Sequence, residues 1–293
     1  MPHVDLVEFT DPACPFAYSA EPLRWRLLWR FGDQLRWTVR MVGLARDAAA
    51  HEAKGFTARP NAEVLRAFDR YGMPLAEVEE RAPAGSWDAC RAIVAAREFA
   101  TGSELALLRA LRIAGLAEAR PIDDPAVLAD AGRVAGLEPE ALEEWVADET
   151  TERAFVADLT AARDPGPAAL ALDHKLADVE PDWTGASRAG SGRRYTCPSY
   201  VLRVGGRTAE VPGFQPWLSL ETALANLAPD LERRPWAANV DEALAWAAGE
   251  PLATIEVAAL LDRDDRDEVR ALLVAAGARE RPAGSDGFWT AAA

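Results

Sequence analysis

Cysteine and histidine are both scarce in this chain, three of each among 293 residues, and that scarcity removes whole classes of chemistry. Cys14, Cys90 and Cys197 are too few and too scattered for a disulfide scaffold. No Cys/His spacing of the metal-binding kind occurs either, so neither zinc nor iron is expected. His3, His51 and His174 stand at no spacing that pairs them with Cys14 along the chain, and nothing favours a Cys-His hydrolase. No glycine-rich phosphate loop follows a strand, because Val204-Gly205-Gly206-Arg207 reads as a hairpin turn; a nucleotide cofactor is not indicated. No window approaches 18 uncharged apolar residues, and residues 1–30 lack the pattern of a cleaved leader. The cytoplasm is therefore the expected location. Positive charge is short as well: 32 Lys+Arg against 47 Asp+Glu leave a net charge of −15 and a pI near 4.7. An acidic surface opposes phosphate backbones and anionic membranes, so neither nucleic acid nor membrane is an expected partner.

What is present is a chain with 49% hydrophobic and 27% charged residues, enough to bury a substantial core. Residues 3–10 read as a short buried strand, 15–31 as a helix ending at Gly32, and 34–42 as a second strand with Leu35, Trp37, Val39 and Met41 alternating. Strand, helix and strand in that order imply a right-handed crossover with parallel strands. From about Asn61 the spacing becomes helical, over 63–71, 87–100, 104–115, 125–135, 139–148 and 150–163. Residues 164–194 hold a further helix over 168–178 and then a polar stretch with Gly185, Gly190 and Gly192. A hairpin over 199–211 turning at Gly205-Gly206 and a helix over 216–227 follow. The tail has helices at 240–248, 254–262 and 266–276 and a terminal hairpin, a winged-helix outline. Its five arginines against eleven acidic residues favour packing or dimerisation over DNA binding. The expected division is 1–60, 61–163, 164–229 and 235–293.

Cys14 lies in Thr10-Asp11-Pro12-Ala13-Cys14-Pro15-Phe16-Ala17-Tyr18, at the turn from the first strand into the first helix. The positive end of a helix stabilises an adjacent anion, so a thiol there titrates below its free value of about 8.5. Pro15 suits the first helical position. Asp11 opposes the effect if it is close, through like-charge repulsion. Phe16 and Tyr18 are aromatics just inside a helix and are expected in the core, with a groove wall as the alternative. Glu21 is expected on a solvated face rather than as a proton acceptor, Cys90 in the core of a helix, and His174 as the cap or decoration of one.

The order of elements, together with Asp11-Pro12-Ala13-Cys14-Pro15-Phe16-Ala17 and Thr196-Cys197-Pro198-Ser199, resembles the DsbA-like branch of the thioredoxin superfamily. The likeness covers the layout of residues 3–229, with motif support at 9–18 and 195–214. It implies an α/β fold, a thioredoxin-like mixed sheet with a large helical insertion. It also implies that Pro198 is a cis proline in a loop opposite Cys14. Pro15, Phe16 and Ala17 on one side and Thr196 and Pro198 on the other would then bind substrate. Two positions depart from the family pattern: Ala17 replaces the second cysteine of the motif, and Cys197 precedes the proline. The resemblance implies Cys14 as the catalytic thiol of a thiol oxidoreductase or thiol-dependent transferase, and it sets Cys197 across the groove as a candidate second catalytic thiol, with a small buried core residue as the alternative. A mixed disulfide at Cys14 would be resolved by Cys197 or by an external thiol. No tightly bound cofactor is implied, and a low-molecular-weight thiol or a protein thiol is the expected partner. Two alternatives stand beside it. One is an isomerase dependent on a glutathione-like thiol. The other is an adaptor that binds a client protein, since residues 86–116 resemble the helical region of DsbA-like adaptors. A homodimer is compatible with all three.

Overall fold

The computed structural model describes residues 3–180, 183 and 191–292. Apolar and β-branched residues crowd the first strand, β1 (Val4–Thr10), which runs parallel to β2 (Leu35–Met41) with Val4 opposite Leu35 and Thr10 opposite Met41. The connection holds α1 (Pro15–Ser19) and α2 (Glu21–Phe31), so the single helix expected over 15–31 is two. Pro22 explains the break at Ala20, since it has no amide hydrogen for the Tyr18 carbonyl and its ring crowds that oxygen.

Helices dominate the next hundred residues. α3 (Ala48–Ala53), absent from the sequence reading, precedes α4 (Ala58–Arg66), α5 (Trp87–Phe99) and α6 (Glu104–Arg112), which runs on into a π-helical turn over Ile113–Ala117. α7 (Pro125–Val134), α8 (Pro139–Ala147) and α9 (Glu149–Ala162) complete the group. Asp124 and Asp148 start α7 and α9 by accepting from the amides of Ala126 and Thr150. The inner faces of these helices close around Ile93, Leu107, Leu111, Phe155 and Leu159, and this core rests on Val39 of β2.

The helix expected over 168–178 does not form. One turn, α10 (Pro167–Leu170), is followed by a tight turn at Asp173–Lys175 and by β3 (Leu176–Asp178), paired antiparallel with β4 (Arg193–Tyr195). The Glu210 carboxylate takes the amides of Gly166, Ala168 and Ala169 and anchors α10. Beyond that turn the backbone bonds instead to a strand far along the chain. Gly185 and Gly190 lie outside the described residues. β5 (Ser199–Val204) and β6 (Arg207–Val211) form a hairpin whose turn residues Gly205 and Gly206 both have positive φ, 53° and 77°. α11 (Trp217–Leu227) follows. The sheet order is β2-β1-β5-β6, with β1 parallel to β2 and antiparallel to β5. Leu23, Leu27 and Phe31 of α2 and Leu220 and Leu224 of α11 cover the face that shows Val4, Leu6 and Leu202.

The tail forms α12 (Val240–Trp246), β7 (Leu252–Ala253), α13 (Thr254–Leu261), α14 (Arg266–Ala275), β8 (Arg279–Ala283) and β9 (Asp286–Thr290), with sheet order β7-β9-β8. The three helices and terminal hairpin expected here are joined by one short strand, β7, between α12 and α13. Trp25 and Trp29 of α2 pack among Ala243, Val257 and Leu260 of this unit. At the hairpin tip Gly284 has φ 51°, and a Cβ there would lie 1.7 Å from the Leu75 carbonyl oxygen, so only glycine fits. Ser285 donates its amide to the same oxygen at 2.9 Å. Among the described residues no helix is long and apolar enough to cross a membrane.

Candidate active site

Cys14 is the last extended residue before α1, and Asp11 fixes its position. The fully buried Asp11 carboxylate accepts from the Ala13 amide at 2.9 Å, closing a turn within the loop, and from the Leu44 amide at 2.8 Å and the Ser86 hydroxyl at 2.9 Å. Strand end, cysteine loop and the start of α5 are thereby tied to one side chain. Asp11 is more than a source of repulsion, and the Asp-Pro turn was the signal available for this role. Cys90 lies in the core, as expected, and its thiol reaches the same carboxylate at 3.6 Å.

The loop between β4 and β5 faces Cys14, and its Cys197–Pro198 peptide bond is cis. Thr196 donates its hydroxyl to the Lys175 carbonyl at 2.7 Å, and Ser199 donates to the Thr196 carbonyl at 2.6 Å while accepting from the Gly213 amide at 2.9 Å. Across the gap the Cys14 thiol donates to the Cys197 carbonyl at 3.5 Å. Neither cysteine is in a disulfide. The Cys14 thiol is held below its ordinary pKa. Hydrogen bonding from the Cys197 side chain is the largest cause; burial opposes it, the amides of Ala17 and Phe16 add to it, and the charge of Asp11 works against it. The Cys197 thiol is pushed well above its ordinary value, first by burial and then by Cys14. Cys14 is thus the thiol that ionises first.

The residues after Cys14 divide by exposure. Tyr18 is buried and donates to the Pro74 carbonyl at 3.0 Å, the core position expected of it. Phe16 is 39% exposed and is not a core residue. The single turn of α1 leaves its ring on the rim, edge-on to Phe68 at 4.6 Å and tilted toward Phe214 at 5.6 Å. Ala17 is buried, with its amide toward the Cys14 sulfur, and Thr196 turns to Lys175. Glu21 is not solvated: it is 1% exposed and pairs with Arg24 at 3.1 Å, Arg109 at 3.4 Å and Arg112. Burial alone would raise its carboxyl pKa, but Arg24, Arg112 and Arg109 outweigh burial and hold it at about 2. His174 sits exposed on a single 3-10 helical turn over Asp173–Lys175.

Cys14, Pro15 and Phe16 open onto a cavity of about 320 Å³, walled by Leu65 and Phe68 on one side. His51, Lys54, Arg81 and Arg194 line the remainder. Sequence reasoning missed these four as a group, because they come from α3, the residue that follows it, the 72–86 loop and β4, with no shared period or motif. A larger cavity of about 420 Å³ between α2 and α13 is lined by none of the cysteines. Among the described residues no group of three or more His, Cys, Asp or Glu is placed to hold a metal ion.

No protein-family model matches the chain, and no curated protein matches its sequence. Among solved structures it is similar to a putative protein disulfide isomerase from Nitrosomonas europaea, at 12% identity and TM-score 0.55, over 76% of this chain and 97% of that one. It is also similar to a probable DsbA oxidoreductase from Streptomyces coelicolor, at 21% identity and TM-score 0.53, over 80% and 93% of the two chains. The chain has a DsbA-like thioredoxin fold with a helical insertion.

Proposed function

We propose that the protein is a thiol-disulfide oxidoreductase whose nucleophile is Cys14. The observation that carries this reading is the Cys14 sulfur itself, held below its ordinary pKa, open to a cavity and set against a loop that bears a second thiol. The Cys14 thiolate attacks one sulfur of a disulfide. A Cys14–sulfur bond forms as the original sulfur–sulfur bond breaks, and the departing thiolate carries away the electron pair. Ala17 offers no second thiol, so the mixed disulfide is resolved either by Cys197, which attacks at the Cys14 sulfur, or by an external small thiol, which attacks at the substrate sulfur and releases Cys14 as thiolate. In the first case a Cys14–Cys197 disulfide results and the second half of the substrate leaves as thiolate. Likeness in fold to proteins described as a disulfide isomerase and a DsbA oxidoreductase supports the reading.

The test is the pH dependence of iodoacetamide labelling at each cysteine, read by peptide mass spectrometry with and without reductant. Cys14 is expected to label with an apparent pKa well below 8.5, and Cys14 and Cys197 are expected to be protected together when oxidised. A Cys14 that labels slowly at every pH would overturn the proposal. Protection of Cys14 alone would assign resolution to an external thiol.

A further inference from the structure

The protein is strongly acidic, with a net charge of −15, yet among the described residues the charged side chains lining the Cys14 cavity are all cations, Lys54, Arg81 and Arg194. Arg194 is already matched, its Nε 2.9 Å from the Glu180 carboxylate. Lys54 turns its ammonium to the Leu44 carbonyl at 2.5 Å. Arg81 is different. Its guanidinium is largely buried and donates to two neutral oxygens, the Gly115 carbonyl at 2.9 Å and Asn61 Oδ1 at 3.4 Å. The Gly115 oxygen belongs to the π-helical turn after α6. Among the described residues no carboxylate pairs with Arg81. Burial pulls its pKa down to about 10 with no opposing charge, which still leaves it a cation at neutral pH. His51 is held below its ordinary pKa, first by burial and also by the charges of Arg81 and Lys54.

A buried guanidinium without a counter-charge is costly, and an anion entering the cavity would remove that cost. A guanidinium also presents its donors as a planar fork that matches a carboxylate. At about 320 Å³ the cavity is of small-molecule size. We infer that the Cys14 cavity selects a small disulfide or thiol bearing a carboxylate, and that Arg81 receives that carboxylate. Lys54 adds to the attraction. Arg81 is then a specificity residue: it holds one end of the molecule while the sulfur at the other end meets Cys14. This rests on Cys14 being the nucleophile. In the exchange the substrate half bound at Arg81 is retained on Cys14 and the other half is released as thiolate.

Three disulfides with the same two-carbon spacer test the inference: 3,3′-dithiodipropionate, which is anionic, bis(2-hydroxyethyl) disulfide, which is neutral, and cystamine, which is cationic. The rate of mixed-disulfide formation at Cys14 of the full reduced chain is read by mass spectrometry after acid quench. Each rate is divided by that of the same disulfide with 1-thioglycerol, a neutral thiol distinct from all three, which removes intrinsic reactivity. The anionic disulfide is expected to lead the neutral one by about tenfold or more, with cystamine slowest and the spread narrowing as salt rises. Arg81→Met is expected to remove most of the preference and Arg81→Lys to retain part of it. A ratio within one protein is insensitive to partial unfolding, and should Arg81→Met fail to fold, Arg81→Lys and the salt series carry the test. Equal normalised rates, or a preference unchanged in the variants, would overturn the role of Arg81 while leaving Cys14 chemistry intact. Failure of Cys14 to react with all three would overturn the thiol-exchange reading itself.

Discussion

Arg109 and Arg81 are both buried arginines, and they differ in what faces them. Arg109 reaches both oxygens of Glu256 at 2.6 and 2.7 Å, lies 3.4 Å from Glu21 and 3.0 Å from Glu250, and also donates to the Pro251 carbonyl. Arg112, one turn on, pairs with Glu21 and lies 3.4 Å from Glu8. Burial alone would depress both guanidinium pKa values, but the surrounding carboxylates reverse this and raise them. This seam joins β1 through Glu8, α2 through Glu21, α6 through its two arginines and α13 through Glu256, with its buried charges matched across it. Arg81 has neutral oxygens in place of carboxylates and a cavity in front of it. Matched charge fastens elements together, whereas the unmatched charge is left to a ligand.

Arg109→Met should have the largest effect on stability. It orphans Glu256 and part of Glu21 inside the seam, and a loss of about 3–5 kcal/mol is expected in urea or guanidinium unfolding. A loss below about 1 kcal/mol would show that the seam is incidental to how the C-terminal unit is held. Acid should act through the same seam with nearly equal force. Glu21 is held at about 2 against an ordinary 4.5, so its folded-state pKa is depressed. Its contribution is present in full above the unfolded value and is lost as pH falls from about 5 toward 2, a total of about 3 kcal/mol for this shift. Unfolding curves collected across that window should show the slope, and Glu21→Gln should flatten it.

The cavity side should respond more weakly in stability and more strongly in chemistry. Phe16→Ala removes a ring that is already 39% exposed, so a stability cost of about 1 kcal/mol is expected, well under the ~3–5 kcal/mol of a core phenylalanine. Mixed-disulfide formation with apolar aromatic disulfides should slow in the same variant. Arg81→Met should change stability least, by about 1 kcal/mol or less. No carboxylate is orphaned, and the loss of two hydrogen bonds is set against the loss of a buried charge. If Arg81→Met instead costs as much as Arg109→Met, the contrast between the two arginines fails.

Much of the layout was legible in the chain. Alternation at Leu35, Trp37, Val39 and Met41 marked β2, Gly205-Gly206 marked the hairpin of β5 and β6, and helical spacing located α5 to α9 within a few residues. The break at Ala20 was written in Pro22 and overlooked because the apolar spacing continues across it. β3 was not legible. Three residues carry too little pattern to specify a strand, and their partner β4 lies far along the chain. Phe16 and Tyr18 are two residues apart and chemically alike, but one lines the groove and the other is core. Which of them meets Pro74 or Phe214 depends on segments remote from both.

The sequence by itself determined most of the longer elements, the position of Cys14 at a strand-to-helix turn, the absence of a thiol at Ala17 and the overall acidity. Each of these is local or additive, set by spacing, residue type or a sum of charges. Only the tertiary structure decided that Glu21 is an ion-paired core residue, that Cys197 sits across from Cys14, and that the cavity gathers cations in an acidic protein. Those outcomes depend on which side chains from distant segments share a low-dielectric site. There a charge is either matched, as at Arg109, or left open, as at Arg81, and the strength of each interaction is set by distance and burial rather than by order along the chain.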